Sequence, residues 1–508
     1  MEQHYGILSI LPPIIAILLA IRTKNLLVSL FVAGYVGVLT ISSWNPVLAL
    51  FNYVKDFIYV QAAQSGNANS LVALLFIGSF VALLTQSGGS AALANKVVHL
   101  LDTRCKTQIA VWIGGLIVFF TDSGNSLIVG PAFQSVTDKL RVSREKLAYI
   151  LDCTSSPICI LVPFISWGIF IMGLMQKEFD QLKLPLVDYD VFLNVIPFQF
   201  YAIGTLLMVP LVAVTGYEFS AMCRAEKRTI ETGQPFWPGA KLAGGGTDTS
   251  WINEKATPSV AVIPLIVLFG CLFGLLIWHG FPFKNIPGSV LRASLSCGYF
   301  LGSLCAIALM IRQKICNAEK CFNIFIEGTK DMMFIIIMLL LAWSLGSICK
   351  SLGTAIYIVE LLHGSIPGWI IPALVFTVGA VISFTTGSSW GTFAILIPLA
   401  IPMAHHLGAP MYATIGAVLS GGLFGDHCSP ISDTTLLSSM GGACDHFDHV
   451  ETQLPYALTV AAASLIGYLI SGIVESKFVL VISIGLMAVF TIAFGKMFGE
   501  KLQNRINL

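Results

Sequence analysis

FGDHCSPISDTTLLSS, residues Phe424 to Ser439, lies between the apolar runs Met411–Leu423 and Leu454–Ile473. It carries Asp426, His427, Ser429, Ser432, Asp433, Thr434 and Thr435, and the helix breaker Pro430. An ionisable side chain at bilayer depth costs about 3 kcal/mol or more unless it meets a wet cavity or a partner. Two carboxylates and a proline in one such segment therefore predict a broken helix lining a polar site.

Composition supports the membrane setting. Of 508 residues 56% are hydrophobic and 11% charged, where soluble domains carry roughly 25% charged residues; mean hydropathy is +0.83. With a formal net charge of +1 and no basic block, nucleic acid is not an expected partner. The twelve cysteines fall mostly in apolar stretches, without zinc-site spacing or a secreted disulfide framework, and read as small core residues. Ile7–Ile21 has no basic region before it and no small-residue cleavage site, so it reads as a first span and not a cleaved signal.

A spanning helix needs roughly 20 mostly apolar residues. The candidates are Ile7–Ile21, Leu26–Ser42, Ser70–Ala94, Tyr149–Gln176, Val191–Thr215, Pro258–Trp278, Val290–Ile311, Met332–Cys349, Met411–Met440, Leu454–Ile473 and Phe478–Phe494. Two more apolar regions, Thr107–Val136 and Gly368–His405, are interrupted by polar clusters at Thr121–Ser126 and Thr385–Thr392. Each is either a kinked helix or a re-entrant hairpin. If both are hairpins, 21 of the 28 basic residues fall on one side, from Arg22 and Lys24 through Lys96, Arg104, Arg144, Lys255 and Lys330 to Lys501 and Arg505. Basic loops gather in the cytoplasm, so hairpins are expected, with the N-terminus outside and the C-terminus inside.

The stretch Gly216–Thr257, with mixed charge and Gly244–Gly246, divides two halves that resemble each other. Ser351 follows Ser87, and Phe384-Thr385 follows Phe120-Thr121, at the same offset of 264. Asp152-Cys-Thr-Ser-Ser-Pro157 answers Asp426-His-Cys-Ser-Pro430 after a short insertion. Ser70–Ala94 runs inward and Met332–Cys349 outward in this topology, so the repeats are expected to be inverted, with a site where they meet. The fold expected is an all-α polytopic membrane protein of about 11 spanning helices plus two re-entrant hairpins. Residues 1–69 form a scaffold, 70–215 and 332–474 the repeats, 216–257 a cytoplasmic linker, 258–331 central helices and 475–508 a terminal helix and tail.

Four polar clusters would then converge. In the first tip Asp122 is the acid, with Ser123 and Asn125 beside it; it serves as an N-cap, a site ligand or both. The second tip holds hydroxyls, Thr386, Ser388 and Ser389, around Trp390. Carboxylate, hydroxyl and carbonyl oxygens suit a hard cation such as Na+, although hydroxyls alone suit a substrate carboxylate as well. The first broken helix offers Asp152, Thr154 and Ser155. In the second, Asp426 and Asp433 would share a face if the helix were continuous, and His427 either titrates or only hydrogen-bonds. Asp445-His-Phe-Asp-His449 reads as a solvated loop or pH-sensitive gate ahead of a metal set, and His405-His406 as interfacial. No phosphate loop, nucleophile–base pair or metal spacing indicates an enzyme.

These blocks, GDHCSPISDTT (Gly425–Thr435), DHFDHVETQLPYA (Asp445–Ala457), TGSSWGTF (Thr386–Phe393) and LIVGP with TDKLRVSREKLAYILD (Leu127–Asp152), resemble signature blocks of the NhaC family of Na+/H+ antiporters. The resemblance implies the ion-transporter superfamily architecture, with inverted repeats, paired hairpins and often elevator-type dimers. Members often carry two adjacent acids in the first tip, where this chain has Thr121-Asp122. That departure opens exchange of malate for lactate, or carriage of an amino acid or small carboxylate with Na+, beside Na+/H+ exchange. The leading expectation is a Na+/H+ antiporter of the inner membrane, working by alternating access. Its Na+ site is expected from Asp122, Asn125, Ser388, Asp426 and Ser429. The expected partners are the bilayer and Na+ and H+ or a small organic solute; the resemblance also opens a homodimer, while the sequence itself does not set the oligomeric state. No cofactor is expected beyond the transported ions.

Overall fold

The computed structural model describes residues 4–23, 25–92, 101–242, 256–281, 287–362 and 367–502. Lys24, Ala94, Lys96, Gly244–Gly246, Lys255 and Arg505 lie outside the described residues. The described residues are predominantly helical. Among the described residues nine helices are long and apolar enough to cross a bilayer, or eleven if two bent pairs each count as one span. In one pair Leu26–Ile41 turns through 115° into Pro46–Ala63. Asn45 caps the new helix with Pro46 at its first position, and Ser43 and Trp44 have positive φ. In the other, Asp188–Phe198 meets Phe200–Thr215 at 50°.

The elements that position the site are helices α1 (Ser65–Gln86), α2 (Arg104–Ile117), α3 (Asp122–Lys139), α4 (Arg144–Cys153), α5 (Ser166–Gln181), α6 (Phe200–Thr215), α7 (Ser220–Thr232), α8 (Met333–Ser351), α9 (Ile371–Thr386), α10 (Ser389–Leu407), α11 (Met411–Cys428), α12 (Asp433–Gly442) and α13 (His446–Ile473). The pairs α2–α3 and α9–α10 are helical hairpins with polar tips, and α11–α12 is a helix broken over Ser429–Ser432. Thr121 caps α3 by accepting from the Gly124 N–H, and Ser432 caps α12 through the Thr435 N–H. Gly387 ends α9 at φ +67°, where a Cβ would also lie 2.8 Å from the Ile431 carbonyl oxygen. That tip therefore needs glycine both for its backbone and for its approach to the break.

Small residues let these elements touch backbone to backbone, the packing favoured where lipid removes the hydrophobic drive. A Cβ on Gly130 of α3 would fall on the Gly441 carbonyl of α12, and one on Gly421 of α11 on the Phe376 carbonyl of α9. The Ser383 hydroxyl donates to Gly422 O at 2.5 Å, and the Ser126 and Ser438 hydroxyls meet at 2.8 Å.

Several segments depart from expectation. In Tyr149–Gln176 the interruption is longer than a single kink: α4 ends at Cys153, a single turn follows at Ser156–Cys159, and α5 starts only at Ser166. Pro157 and Pro163 interrupt the ladder there. Asp445-His-Phe-Asp-His449 is no solvated loop. Asp445 caps α13 by accepting from the Phe447 N–H at 2.8 Å, and His449 is buried. The linker 216–257 contains α7 and a strand, Tyr217–Phe219, antiparallel to Gly499–Lys501. Cys316 and Cys321 are joined by a disulfide, brought together by the turn into the helix Ala318–Asp331, while the other ten cysteines are free.

The basic residues around α7 are engaged in pairs. Arg228 binds both oxygens of Glu145 at 2.9 Å, Lys146 lies 2.8 Å from Glu218, and Arg104 pairs with Glu226. Burial pushes the Glu226 carboxyl upward, but Arg104, Lys146 and the Ser143 N–H outweigh it and hold it below its ordinary value. Burial raises Glu218 instead, against the pull of Lys146.

Candidate functional site

A cavity of about 810 Å³ opens between the hairpin tips and the break in the second broken helix. Asp122, the first residue of α3, lines it from one hairpin; Thr386 and Ser388 line it from the other; Asp426 and Asp433 line it from the two sides of the break. Four helices, α3, α5, α10 and α12, therefore begin at its wall. Thr121, Ser123, Ser166 and Thr434 add hydroxyls, and Asn25, Thr85, Gln86 and Asp331 complete the polar lining.

Each carboxylate is held differently. One oxygen of Asp122 accepts from the Ser123 N–H at 2.6 Å and from its hydroxyl at 3.1 Å; the other accepts from the Trp167 indole N–H at 3.0 Å. Asp426 is 2% exposed and accepts from Ser389 at 2.8 Å and Ser432 at 2.7 Å, so the second tip and the broken helix both orient it. Asp433 is exposed at the cavity and accepts from the Thr434 N–H at 3.0 Å. Asp426 and Asp433 do not share a helix face, because the chain leaves the helix between them, yet both reach the same cavity.

The expected five-residue Na+ set does not converge. Asp122, Ser388 and Asp426 line the cavity, but Asn125 lies on the buried face of α3, its amide donating to the carbonyls of Gly115 at 2.7 Å and Thr154 at 2.8 Å. The Ser429 hydroxyl donates to Phe384 O at 2.7 Å. Thr154 and Ser155 return their hydroxyls to their own turn, at Ile150 O and Asp152 O. A hydroxyl or amide beside a helix break satisfies the loose backbone groups before it can reach a ligand.

Asp152 and His427 belong to a second buried network. Asp152 accepts from Gln453 at 2.6 Å and Ser438 at 3.2 Å, with His449 at 3.9 Å. His427 Nδ1 meets the Tyr201 hydroxyl at 2.8 Å. This network backs the site from the side of α13. Trp167, Tyr201 and Asp331 were not legible as site residues: each sits outside the polar clusters, and no spacing in the sequence marks it; Gln453 lies within the block Asp445–Ala457, which was singled out without a site role for it. Trp390, which lines the cavity, packs against Trp167 at 4.8 Å between ring centroids, tilted by 51°, and edge-on against Phe170 at 4.9 Å.

Among the described residues no cluster of three or more His, Cys, Asp or Glu side chains is arranged to hold a metal ion tightly. The site instead presents carboxylates spread around an open polar chamber.

A multi-pass helical bundle with such a chamber between two hairpins and a broken helix defines a secondary-active membrane transporter. The chain belongs to the Na+/H+ antiporter family, whose sequence profile matches residues 158–473. An uncharacterised protein of Haemophilus influenzae is 34% identical over 489 residues, covering 92% of this chain and 91% of its own. The malate-2H(+)/Na(+)-lactate antiporter of Bacillus subtilis is 32% identical over 135 residues, 26% of this chain and 28% of that one. The structure of MtrF from Neisseria gonorrhoeae, described as an antimetabolite efflux pump, superposes with a TM-score of 0.57 at 16% identity, covering 87% of this chain and 84% of that chain.

Proposed function

We propose that the protein exchanges Na+ for H+ by alternating access, with both ions competing for the carboxylates of the 810 Å³ cavity. One observation carries this reading. Asp122, Asp331, Asp426 and Asp433 line the cavity, and among its described lining residues there is no Lys, Arg or His. Four acids without a counter-charge attract cations and repel a bare organic anion. The hydroxyls and carboxylates supply the oxygens a partly dehydrated Na+ requires. A proton on the same carboxylates displaces it, which couples the two ions.

The basic clusters around α7 support an inner-membrane orientation with that end in the cytoplasm. In it the N-terminus is outside, the C-terminus inside, and the rim formed by Asn25, Gln86 and Asp331 faces the cytoplasm. A second reading draws on the cavity's size, which lies in the range of small-molecule pockets, and on its Trp167–Trp390 wall. In that reading an amino acid or small carboxylate enters with Na+, as the name of the malate–lactate relative suggests for that protein.

Purified protein in proteoliposomes separates the two. Na+/H+ exchange predicts proton movement driven by Na+ alone, abolished in Asp122→Asn and Asp426→Asn. If both variants keep wild-type Na+-driven proton movement, the assignment fails. Labelled-solute uptake that needs Na+, without proton movement on adding Na+ alone, would establish the second reading.

A further inference from the structure

The helices α5 and α10 pack together, both beginning at the cavity, with Ser166 on one and Trp390 on the other. The rings of Trp167, Phe170, Trp390 and Phe393 close the space between them, at centroid separations of 4.8 to 6.0 Å. Toward the far ends of the same two helices lies another cavity, of about 630 Å³, lined by Glu178, Lys183, Lys350, Pro398 and His405 among others. Twelve residues of helix separate Ser166 from Glu178, roughly 18 Å at 1.5 Å per residue. One path thus has a chamber at each end and an aromatic partition near the first.

Glu178 is 2% exposed and, among the described residues, accepts no hydrogen bond and forms no ion pair within 4 Å; Lys177 and Lys350 act on it only at longer range. Room is left for it on purpose of shape: a Cβ on Gly346 of α8 would stand 2.6 Å from Glu178 Oε1. A buried ionised carboxylate without partners is costly. Leu182, Ile356, Pro398 and Leu399 make much of this wall apolar, the Thr354 hydroxyl is already donated to Ser9 O at 2.5 Å, and the Gln181 amide is the one neutral side-chain oxygen left among the described lining residues. A Na+ ion needs several oxygens, whereas a proton neutralises a carboxylate with none. The other titratable groups around it are Lys177, Asp180 and Lys183 on or just after its own helix, Cys349 and Lys350 from α8, and His405 and His406 from α10. Lys177 donates to Gln64 at 3.0 Å and Lys350 to Gln181 O at 2.7 Å. Helix α1 brings no charged side chain, and Asp188 of the neighbouring helix Asp188–Val195 is bound by Arg292.

We propose that Glu178 is a proton-exchanging carboxylate on the far side of the aromatic partition, through which protons enter or leave the exchanger at the face opposite the Asp122–Asp426 cavity. The proposal rests on the transport reading above. The only bond change is on Glu178: its O–H forms with a proton from one aqueous side and is broken when access alternates and the proton is released to the other.

Two measurements test it. Difference infrared spectroscopy of wild type against Glu178→Gln is expected to show a carboxylic-acid C=O band that grows on acidification and is missing from the variant. In proteoliposomes Glu178→Gln is expected to slow Na+-driven proton movement at least ten-fold while equilibrium Na+ binding stays within two-fold of wild type; Glu178→Asp restores part of the rate. Absence of the band, or wild-type proton movement in Glu178→Gln, overturns the proposal. A titrating Glu178 band in a protein that moves no protons with Na+ overturns the Na+/H+ reading instead and leaves the proton site standing.

Discussion

The Ser389 hydroxyl donates to Asp426 Oδ2 at 2.8 Å, a bond that joins the second hairpin tip to the last turn before the helix break. It fixes where a buried carboxylate faces the cavity. A hydrogen bond to a charged group contributes about 1.5–3 kcal/mol. Ser389→Ala is therefore expected to raise the Na+ concentration for half-maximal exchange by roughly ten-fold or more, with Ser389→Thr closer to wild type. Unchanged Na+ dependence in Ser389→Ala would show that this bond does not position Asp426.

Trp167 plays the matching part at the first tip, where its indole N–H reaches Asp122 Oδ2 at 3.0 Å. Trp167→Phe keeps an aromatic ring against Trp390 and removes the donor. Transport is expected to fall about ten-fold while thermal stability stays near wild type. An equal loss of both would point to packing as the residue's contribution.

Gly130 faces the Gly441 carbonyl so closely that an added methyl meets main chain, which cannot swing aside. Gly130→Ala is expected to cost about 1–3 kcal/mol, seen as a lowered Tm in detergent. Gly270→Ala serves as the control, since nothing lies within 4 Å of its added Cβ.

Glu226 is held below its ordinary value of 4.5 chiefly against burial by Arg104 and Lys146. A carboxyl depressed in the folded state stabilises above its unfolded value, and that contribution is lost as pH falls through the folded value. Wild-type stability should therefore drop on acidification from about 4.5 downward. Glu226→Gln leaves Arg104 buried without its partner, costing about 3–5 kcal/mol at neutral pH, and lacks that acid limb. Melting curves across acidic and neutral pH decide it.

Much of the membrane architecture was readable because lipid makes polarity expensive. Polar interruptions at Thr121–Ser126, Thr385–Thr392 and Phe424–Ser439 stood out against apolar surroundings and mark the walls of the cavity. Which oxygen faces inward was not readable. Asn125 and Ser429 look as available as Ser388 in the sequence, but the frayed backbone at each break claims them first. Asp445–His449 read as a loop because its polarity resembles one, whereas the Asp445 cap makes it the opening turn of a long helix. Trp167 and Glu178 gave no signal, since an aromatic and an acid near a helix end are ordinary until their neighbours are known.

The glycine contacts at Gly130–Gly441 and Gly421–Phe376 weld both hairpins to the segments flanking the break. Neither hairpin can shear past its partner without driving one main chain through another. The slip plane of the exchanger must then run outside this block, along the surfaces it presents to α5 and α8, both of which pack on α10. Cross-links inside the block should leave turnover intact, whereas a tether across that plane should lock the machine on one face.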